Sequence, residues 1–399
     1  SASAITTTGT QTYNGAITLG ADVTLTASGI TTTSTISAGN YDLTMIADAF
    51  NLGGNITGSG TSVLTIQPKT NGTTIGLGTS APGTISLTAT ELAYLRTPSV
   101  VIGGSGVTGL ITVNASAINS AVTNFTLQNS GSSGNGGITI AGALSGLTNF
   151  TLTTAGTLRI NNNITTTGTQ TYNGAITLGA DVVLTGGSVT ASSISANGYD
   201  ITINATGSVA VTGSIDTSAA SNSSGNGANG GAVTISAGSS LTLGSVVTDG
   251  GNSTYSNSGR YYDSGDHNWH NYNNSYNGGN AGVISLTGSS ISLSGNISAA
   301  GGTSNTGNSG LGGAVSFASP LLLTDNLSIT TTGQTDGAIS FGSTIDGNKS
   351  LTINTRRTTV LNANIGSSNH LASLTMSGPV TINASAITTT GTQTYNGAI

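Results

Sequence analysis

Apolar residues recur along this chain in pairs separated by a single residue, usually Thr or Ser. In the first part the pairs are Val23/Leu25, Leu43/Met45, Leu64/Ile66 and Ile85/Leu87. Such alternation marks a strand with one face inward and the other in water. The second members lie 20, 21 and 21 residues apart, so Leu25, Met45, Ile66 and Leu87 are expected to stack on one inner wall. In the last part the pairs are Val233/Ile235, Ile284/Leu286, Val315/Phe317 and Ile339/Phe341, at gaps of 51, 31 and 24. The longer gaps predict inserted loops. A second series follows in register: Leu241/Leu243, Ile291/Leu293, Leu321/Leu323 and Leu351/Ile353. Helical periodicity is nearly absent; only residues 89–95 carry a trace of it.

A strand recurring every 20-odd residues, with turn residues between, predicts an all-β parallel β-helix (β-solenoid), about 20 residues per coil with loop insertions. Each strand pairs in parallel with its counterpart in the next coil, at about 4.8 Å. Inward Ile, Leu, Val and Phe form one core, each contributing roughly 1.5–3 kcal/mol on burial. Coil-to-coil equivalence argues against a string of sandwiches, which need antiparallel hairpins.

Long repeats overlie this short period. Residues 2–17, ASAITTTGTQTYNGAI, return unchanged at 384–399, a shift of 382. A third copy, ITTTGTQTYNGAITLGADV, spans 164–182, a shift of 159 from the first, and the match continues loosely from STISAGNYDLTM (34–45) to SSISANGYDITI (192–203), a shift of 158. The organisation expected is a single continuous solenoid over 1–399, one 382-residue period plus an overlap, with a loop at 252–277 ejected from it. At roughly 16–19 coils, one period would rise about 75–90 Å. The chain starts at Ser1 without Met or a signal peptide, which suggests an internal or processed piece of something longer.

Composition sharpens the picture. Charged residues make up 5% of the chain and glycine 61 of 399, against about 25% and 7% in ordinary soluble proteins. Net charge is only −6 and 35% of residues are apolar, which argues against disorder. Zero cysteines exclude disulfides and thiolate-bound metals. Seven Lys plus Arg cannot form the basic surface that nucleic acid requires. No 18-residue apolar run marks a membrane span.

The segments GNGANGGAVTI (225–235), GGNAGVISL (278–286) and LGGAVSF (311–317), with ITTTGTQTYNGAITL and NYDLTM, resemble filamentous haemagglutinin-like bacterial surface exoproteins built from β-strand repeats. The resemblance implies a right-handed parallel β-helix on a Gram-negative cell surface, exported and serving adhesion or matrix building. The identity of residues 2–17 and 384–399 points to partners of the same kind, further copies of the repeat in covalent tandem or end to end, with neighbouring fibres or surface glycans as further candidates.

Candidate chemistry is sparse. An enzyme on this fold would need converging carboxylates, yet there are 13 acids and Glu91 is the sole glutamate. Asp22 and Asp181 are repeat equivalents, as are Asp42 and Asp200; recurrence with the repeat suits turn formers. Arg356–Arg357 reads as a solvated loop. No enzyme activity and no cofactor are expected. Threonine runs at Thr6, Thr31, Thr165, Thr330 and Thr388 are not one coil apart, so no continuous rank of the ice-binding kind is expected. One segment breaks the pattern: YSNSGRYYDSGDHNWHNYNNSY, 255–276. Three readings stay open for it. It is a self-packed loop, a contact surface using Tyr255, Tyr261, Tyr262, Trp269, Tyr272 and Tyr276 against glycans or a neighbouring chain, or a metal site using Asp263, Asp266, His267 and His270.

Overall fold

The computed structural model describes all residues except 1–2, 81, 116–117, 132–135, 256–257, 264 and 266, and describes only the backbone of 258–263 and 269–273. The chain is an all-β parallel β-solenoid divided into two compact units. The first comprises Ser1–Ser193 with Asn204–Thr206; the second comprises Ile194–Ile203 with Gly207–Ile399.

In the first unit, one wall is a parallel ladder of nine strands, from Ala4–Thr6 through Val23–Thr26, Leu43–Ile46 and Val63–Gln67 to Ser188–Ala191. Its register places Leu25 beside Met45, Met45 beside Ile66 and Ile66 beside Ile102. All four side chains are at most 3% exposed. Leu87, expected as the fourth member, belongs to another wall, where it pairs with Leu77. The cause is an insertion after Gln67. Two short strands, Ile75–Gly78 and Ile85–Leu87, leave the first wall before the chain returns to it at Ser99–Gly103. Equal spacing in sequence therefore did not mean the same wall. Farther along, Phe125 stacks on Phe150, ring centroids 5.9 Å apart and 10° from parallel.

The TTT runs form no continuous rank, as expected, but the outward positions of this wall hold an interrupted one. Thr24, Thr44 and Thr65 adjoin one another, then Val101 intervenes, and Thr126, Thr151, Thr171 and Thr190 complete the rank. A threonine rank does exist, built from strand centres rather than from the TTT runs. The ranks beside it are mixed, with Asp42, Val63, Ser99 and Asn124 on one side and Ile46, Gln67, Gly103 and Gln128 on the other.

The helix is Ala89–Tyr94, inside the 89–95 stretch with helical periodicity. Thr88 caps it and Glu91 completes a capping box. Glu91 does a second job: its Oε1 accepts the Leu52 N–H at 3.0 Å. Leu52 ends a three-stranded ladder, Gln11–Tyr13, Ile30–Thr32 and Phe50–Leu52. The sole glutamate thus satisfies a strand-edge donor inside the protein.

In the second unit, the Val233/Ile235, Ile284/Leu286, Val315/Phe317 and Ile339/Phe341 series pairs in register as expected. Phe317 and Phe341 stack at 5.1 Å, 4° from parallel. The second series holds for Leu241/Leu243, Ile291/Leu293 and Leu321/Leu323. Leu351/Ile353 breaks it by pairing with Leu327/Ile329 in a different wall, and Ile345 takes the expected place. The strand Leu327–Thr330 is the extra apolar segment that sequence spacing did not separate from its neighbours.

Turn carboxylates and carboxamides bind the coil that follows. Asp22 Oδ1 accepts the Asp42 N–H at 2.9 Å, Asp42 Oδ1 the Val63 N–H at 2.8 Å, and Asp200 Oδ1 the Ala232 N–H at 2.7 Å. Asn163 and Asn326 do the same for Val183 and Ser350, each at 2.8 Å. These residues are turn residues as expected, but for Asp22, Asp42 and Asp200 the bond runs along the stacking direction rather than within the turn.

The repeated sequence is used in two orientations within the first unit. Gln11–Tyr13 lies in the Ile30–Thr32 ladder. The identical Gln170 and Tyr172 lie one wall over, in the nine-stranded ladder beside Phe150 and Leu152. In both, the Tyr hydroxyl donates to the Gln Oε1, at 2.8 and 2.7 Å, and the Gln amide donates to the Ile5 or Ile164 carbonyl. The local hydrogen bonds travel with the sequence; the wall does not.

Candidate functional site

The second unit departs most from a plain coil in its glycine-rich excursions. After the strands Ile215–Asp216, Val246–Val247 and Ile297–Ser298 the chain runs outward over 217–222, 248–253 and 299–304. It returns over 226–231, 277–282 and 308–313, before the strands that begin at Val233, Ile284 and Val315. Backbone amides bond in two directions. Along the stack, Ala219 N–H donates to Asp249, Gly250 to Ala300, Gly230 to Asn280 and Gly278 to Asn308, at 2.9–3.0 Å. Between outgoing and returning limbs, Gly251 donates to Ala228, Gly279 to Gly251, Gly302 to Gly279 and Gly310 to Gly302, at 2.8–2.9 Å.

This layer demands glycine because backbone lies directly on backbone. A methyl at Gly279 would sit 1.8 Å from the Ala228 carbonyl oxygen, and one at Gly310 would sit 1.8 Å from that of Gly279. Buried threonines pin the base of three excursions: Thr217 Oγ1 donates to the Gly231 carbonyl at 2.5 Å, Thr248 to Gly282 at 2.8 Å and Thr331 to Gly337 at 2.7 Å.

The aromatic segment emerges from the tip of the middle excursion. Both ends of the 252–277 stretch belong to the ladder. Ser253 N–H donates to the Thr303 carbonyl, Thr254 N–H to Asn222, each at 2.9 Å, and Tyr276 N–H to Thr306 Oγ1 at 3.2 Å. Ser304 Oγ donates to the Tyr276 carbonyl. Tyr255 and Tyr276, both half-buried, meet edge to face at 4.8 Å and 81°, a favourable arrangement for aromatic quadrupoles. Between them lies an antiparallel hairpin, Ser258–Asp263 with Asn268–Asn273. Antiparallel pairing was not expected anywhere; it occurs inside the inserted segment, where no coil dictates direction.

The hairpin register pairs Tyr261 with His270, Tyr262 with Trp269, Asp263 with Asn268 and Gly259 with Tyr272. Of the proposed contact residues, Tyr255 and Tyr276 have described side chains and come together. The side chains of Tyr261, Tyr262, Trp269 and Tyr272 lie outside the described residues, as do those of Asp263 and His270 and the whole of Asp266. His267 is exposed, with φ +56°, between the two strands. Among the described residues no group of three or more His, Asp or Glu side chains could hold a metal ion.

Two features were not anticipated. Asn226 and Asn229 accept, through Oδ1, the N–H groups of Asn277 and Asn280 at 2.8 and 2.9 Å, and those two accept in turn from Asn308 and Leu311 at 2.9 Å. They line an open polar groove of about 270 Å³ with Ser309 and Gln334. The shared N-x-x-N spacing, 51 residues apart, is the sequence signal that marks this ladder. The second is the partner of Arg356, which lies exposed in a loop as expected. The Arg356 guanidinium Nη2 reaches Asp336 Oδ1 at 2.6 Å, 20 residues away, while the Arg356 N–H donates to Oδ2 at 2.5 Å. Burial raises the Asp336 pKa, but the bonds from Arg356 and from the Gly333 N–H, with the Arg356 charge, outweigh it and hold the carboxyl below the ordinary carboxylate range.

Among the described residues no helix is long and apolar enough to cross a membrane. No protein-family model, no curated protein and no solved structure matches the chain.

Proposed function

We propose that the chain is a structural repeat segment of an extracellular bacterial fibre or surface adhesin, extended by coil stacking, and not an enzyme. The observation that carries this reading is coil-to-coil equivalence. Inward residues stack on their own counterparts, and turn Asp and Asn side chains cap the next coil. Each coil is therefore a template for another. The absence of cysteine and the scarcity of charge suit export. The resemblance to filamentous haemagglutinin-like exoproteins supports a Gram-negative surface and a matrix-building role. Electron microscopy of the native material tests the reading. At ~4.8 Å per coil, the roughly 16–19 coils expected of one 382-residue period should give an axial repeat of about 75–90 Å. Discrete particles without an axial repeat would overturn it.

A second reading is an adhesin that contacts carbohydrate or a cell surface through the aromatic segment. It is favoured by the way the glycine-rich layer and the Tyr255–Tyr276 contact hold both hairpin ends. A glycan array with the parent chain and with a variant lacking 256–274 tests it; equal signals would reject it.

A further inference from the structure

The asparagine ladder of the second unit caps the coils with one half of each side chain and leaves the other half over. Asn226 and Asn277 hold one place on successive levels, and Asn229 and Asn280 hold another, three residues on. Each Oδ1 accepts an N–H from the next level. A carboxamide also carries two N–H donors on its nitrogen. In these four residues Nδ2 makes no hydrogen bond to a described residue, and all four side chains are exposed. The group is planar, so a bond that fixes Oδ1 along the stack also fixes Nδ2. The result is two columns of held donors that repeat at about 4.8 Å.

These donors line the open groove of about 270 Å³, together with Ser309, Gln334 and the glycines between them. None of the described residues lining it is charged. An anionic ligand would find no cation there, and a basic ligand no acid. A peptide strand presents N–H and C=O groups in equal number, so half of its polar groups would face donors. A sugar hydroxyl can turn to accept from a fixed donor and still has a proton to give to water. Leu311, 45% exposed, takes the third place in the Asn229–Asn280 row, where its N–H donates to Asn280 Oδ1. It offers an apolar surface to the C–H face of a pyranose ring.

The geometry points to a binding site for a neutral polysaccharide strand lying along the stack, its hydroxyl oxygens accepting from Asn226, Asn229, Asn277 and Asn280. The groove is close to the lower end of ligand-pocket volumes, about 300 Å³, so it takes a short stretch of a longer chain. Its donors repeat with the coils. A chain of linked sugars can therefore engage several at once, which a single sugar cannot. The site goes beyond both readings of function, since it needs neither the fibre nor the aromatic segment.

Isothermal titration of the full chain tests it. The probes are two neutral tetrasaccharides of glucose (β-1,4-linked cellotetraose and α-1,4-linked maltotetraose), glucose itself, and the anionic tetragalacturonate. At least one neutral tetrasaccharide should bind about tenfold or more tighter than glucose and than tetragalacturonate. Ser309→Val with Gln334→Leu replaces groove side chains that hold no ladder bond. It should weaken binding about tenfold and leave circular dichroism and the urea midpoint at the parent's values. If that midpoint falls, Gln334→Leu alone carries the comparison, with a loss of at least about threefold expected. A variant lacking 256–274 should bind as the parent does. The proposal is overturned if neither neutral tetrasaccharide binds, which leaves the asparagines a structural ladder only. It is equally overturned if tetragalacturonate binds as tightly, or if the folded groove variant binds like the parent. Binding lost with 256–274 but kept in the groove variant would reject the groove and leave the second reading standing.

Discussion

Replacing Gly279 with Ala should disrupt the glycine-rich layer far beyond the usual effect of one methyl. The new carbon would lie 1.8 Å from the Ala228 carbonyl oxygen and 2.5 Å from its carbon. Contact distances near 3.0 Å or more require the two limbs to part by over an ångström. Three bonds cross that interface: Gly251 N–H to Ala228, Gly279 N–H to Gly251 and Gly302 N–H to Gly279, at 2.8–2.9 Å. An ångström of separation takes them out of hydrogen-bonding range. At about 1 kcal/mol each they account for ~3 kcal/mol, and overpacking adds ~1–3 kcal/mol. The expected cost is about 4–6 kcal/mol, localised in the second unit. Gly20→Ala is the control, since a methyl there meets nothing within 4 Å; it should be neutral or stabilise by up to ~1 kcal/mol through the unfolded state. Urea melts followed by circular dichroism give the magnitude. Amide exchange at Gly251, Gly279 and Gly302 gives the location, because stability in repeat proteins is regional. If Gly279→Ala melts within about 0.5 kcal/mol of the parent, a typical surface effect, the close backbone packing is wrong.

Further outcomes follow from single side chains. Ile66→Asp places a carboxylate between Met45 and Ile102; it should cost several kcal/mol or force protonation, and an unchanged urea midpoint would refute the register. Glu91→Ala removes the carboxylate half of the capping box and orphans the Leu52 N–H. A loss of about 2–4 kcal/mol is expected by chemical denaturation, and Glu91→Gln should restore part of it. Asp336 has its pKa depressed in the fold. Its contribution is therefore present above the unfolded carboxylate value near 4 and lost as pH falls through the folded value. Thermal melts of the parent should fall off more steeply below about pH 4 than those of Asp336→Asn; parallel curves would show that the Arg356 pairing contributes nothing.

Much of this protein was legible in the order of its residues. Alternating Val, Ile and Leu with Thr and Ser can bury only one face, and a recurrence near 20 residues leaves stacking as the way to bury it. The pairs through Ile66, and those from Val233 to Phe341, were assigned to their walls by spacing alone. The internal bonds of the Gln–Tyr motif are local, so identical sequence guarantees them. Tertiary structure decided what spacing could not. Leu87 and Leu351 have the right pattern and the wrong wall, because an insertion shifts wall assignment without changing any local periodicity. The partners of Glu91 and Arg356 lie 39 and 20 residues away, and no short-range rule relates them. The longer gaps announced inserted loops, yet Gly251, Gly279 and Gly310 within them are required by carbonyl oxygens of neighbouring limbs. Two chain segments meeting at backbone distance is a property of the packed coils, and only the folded molecule brings them together.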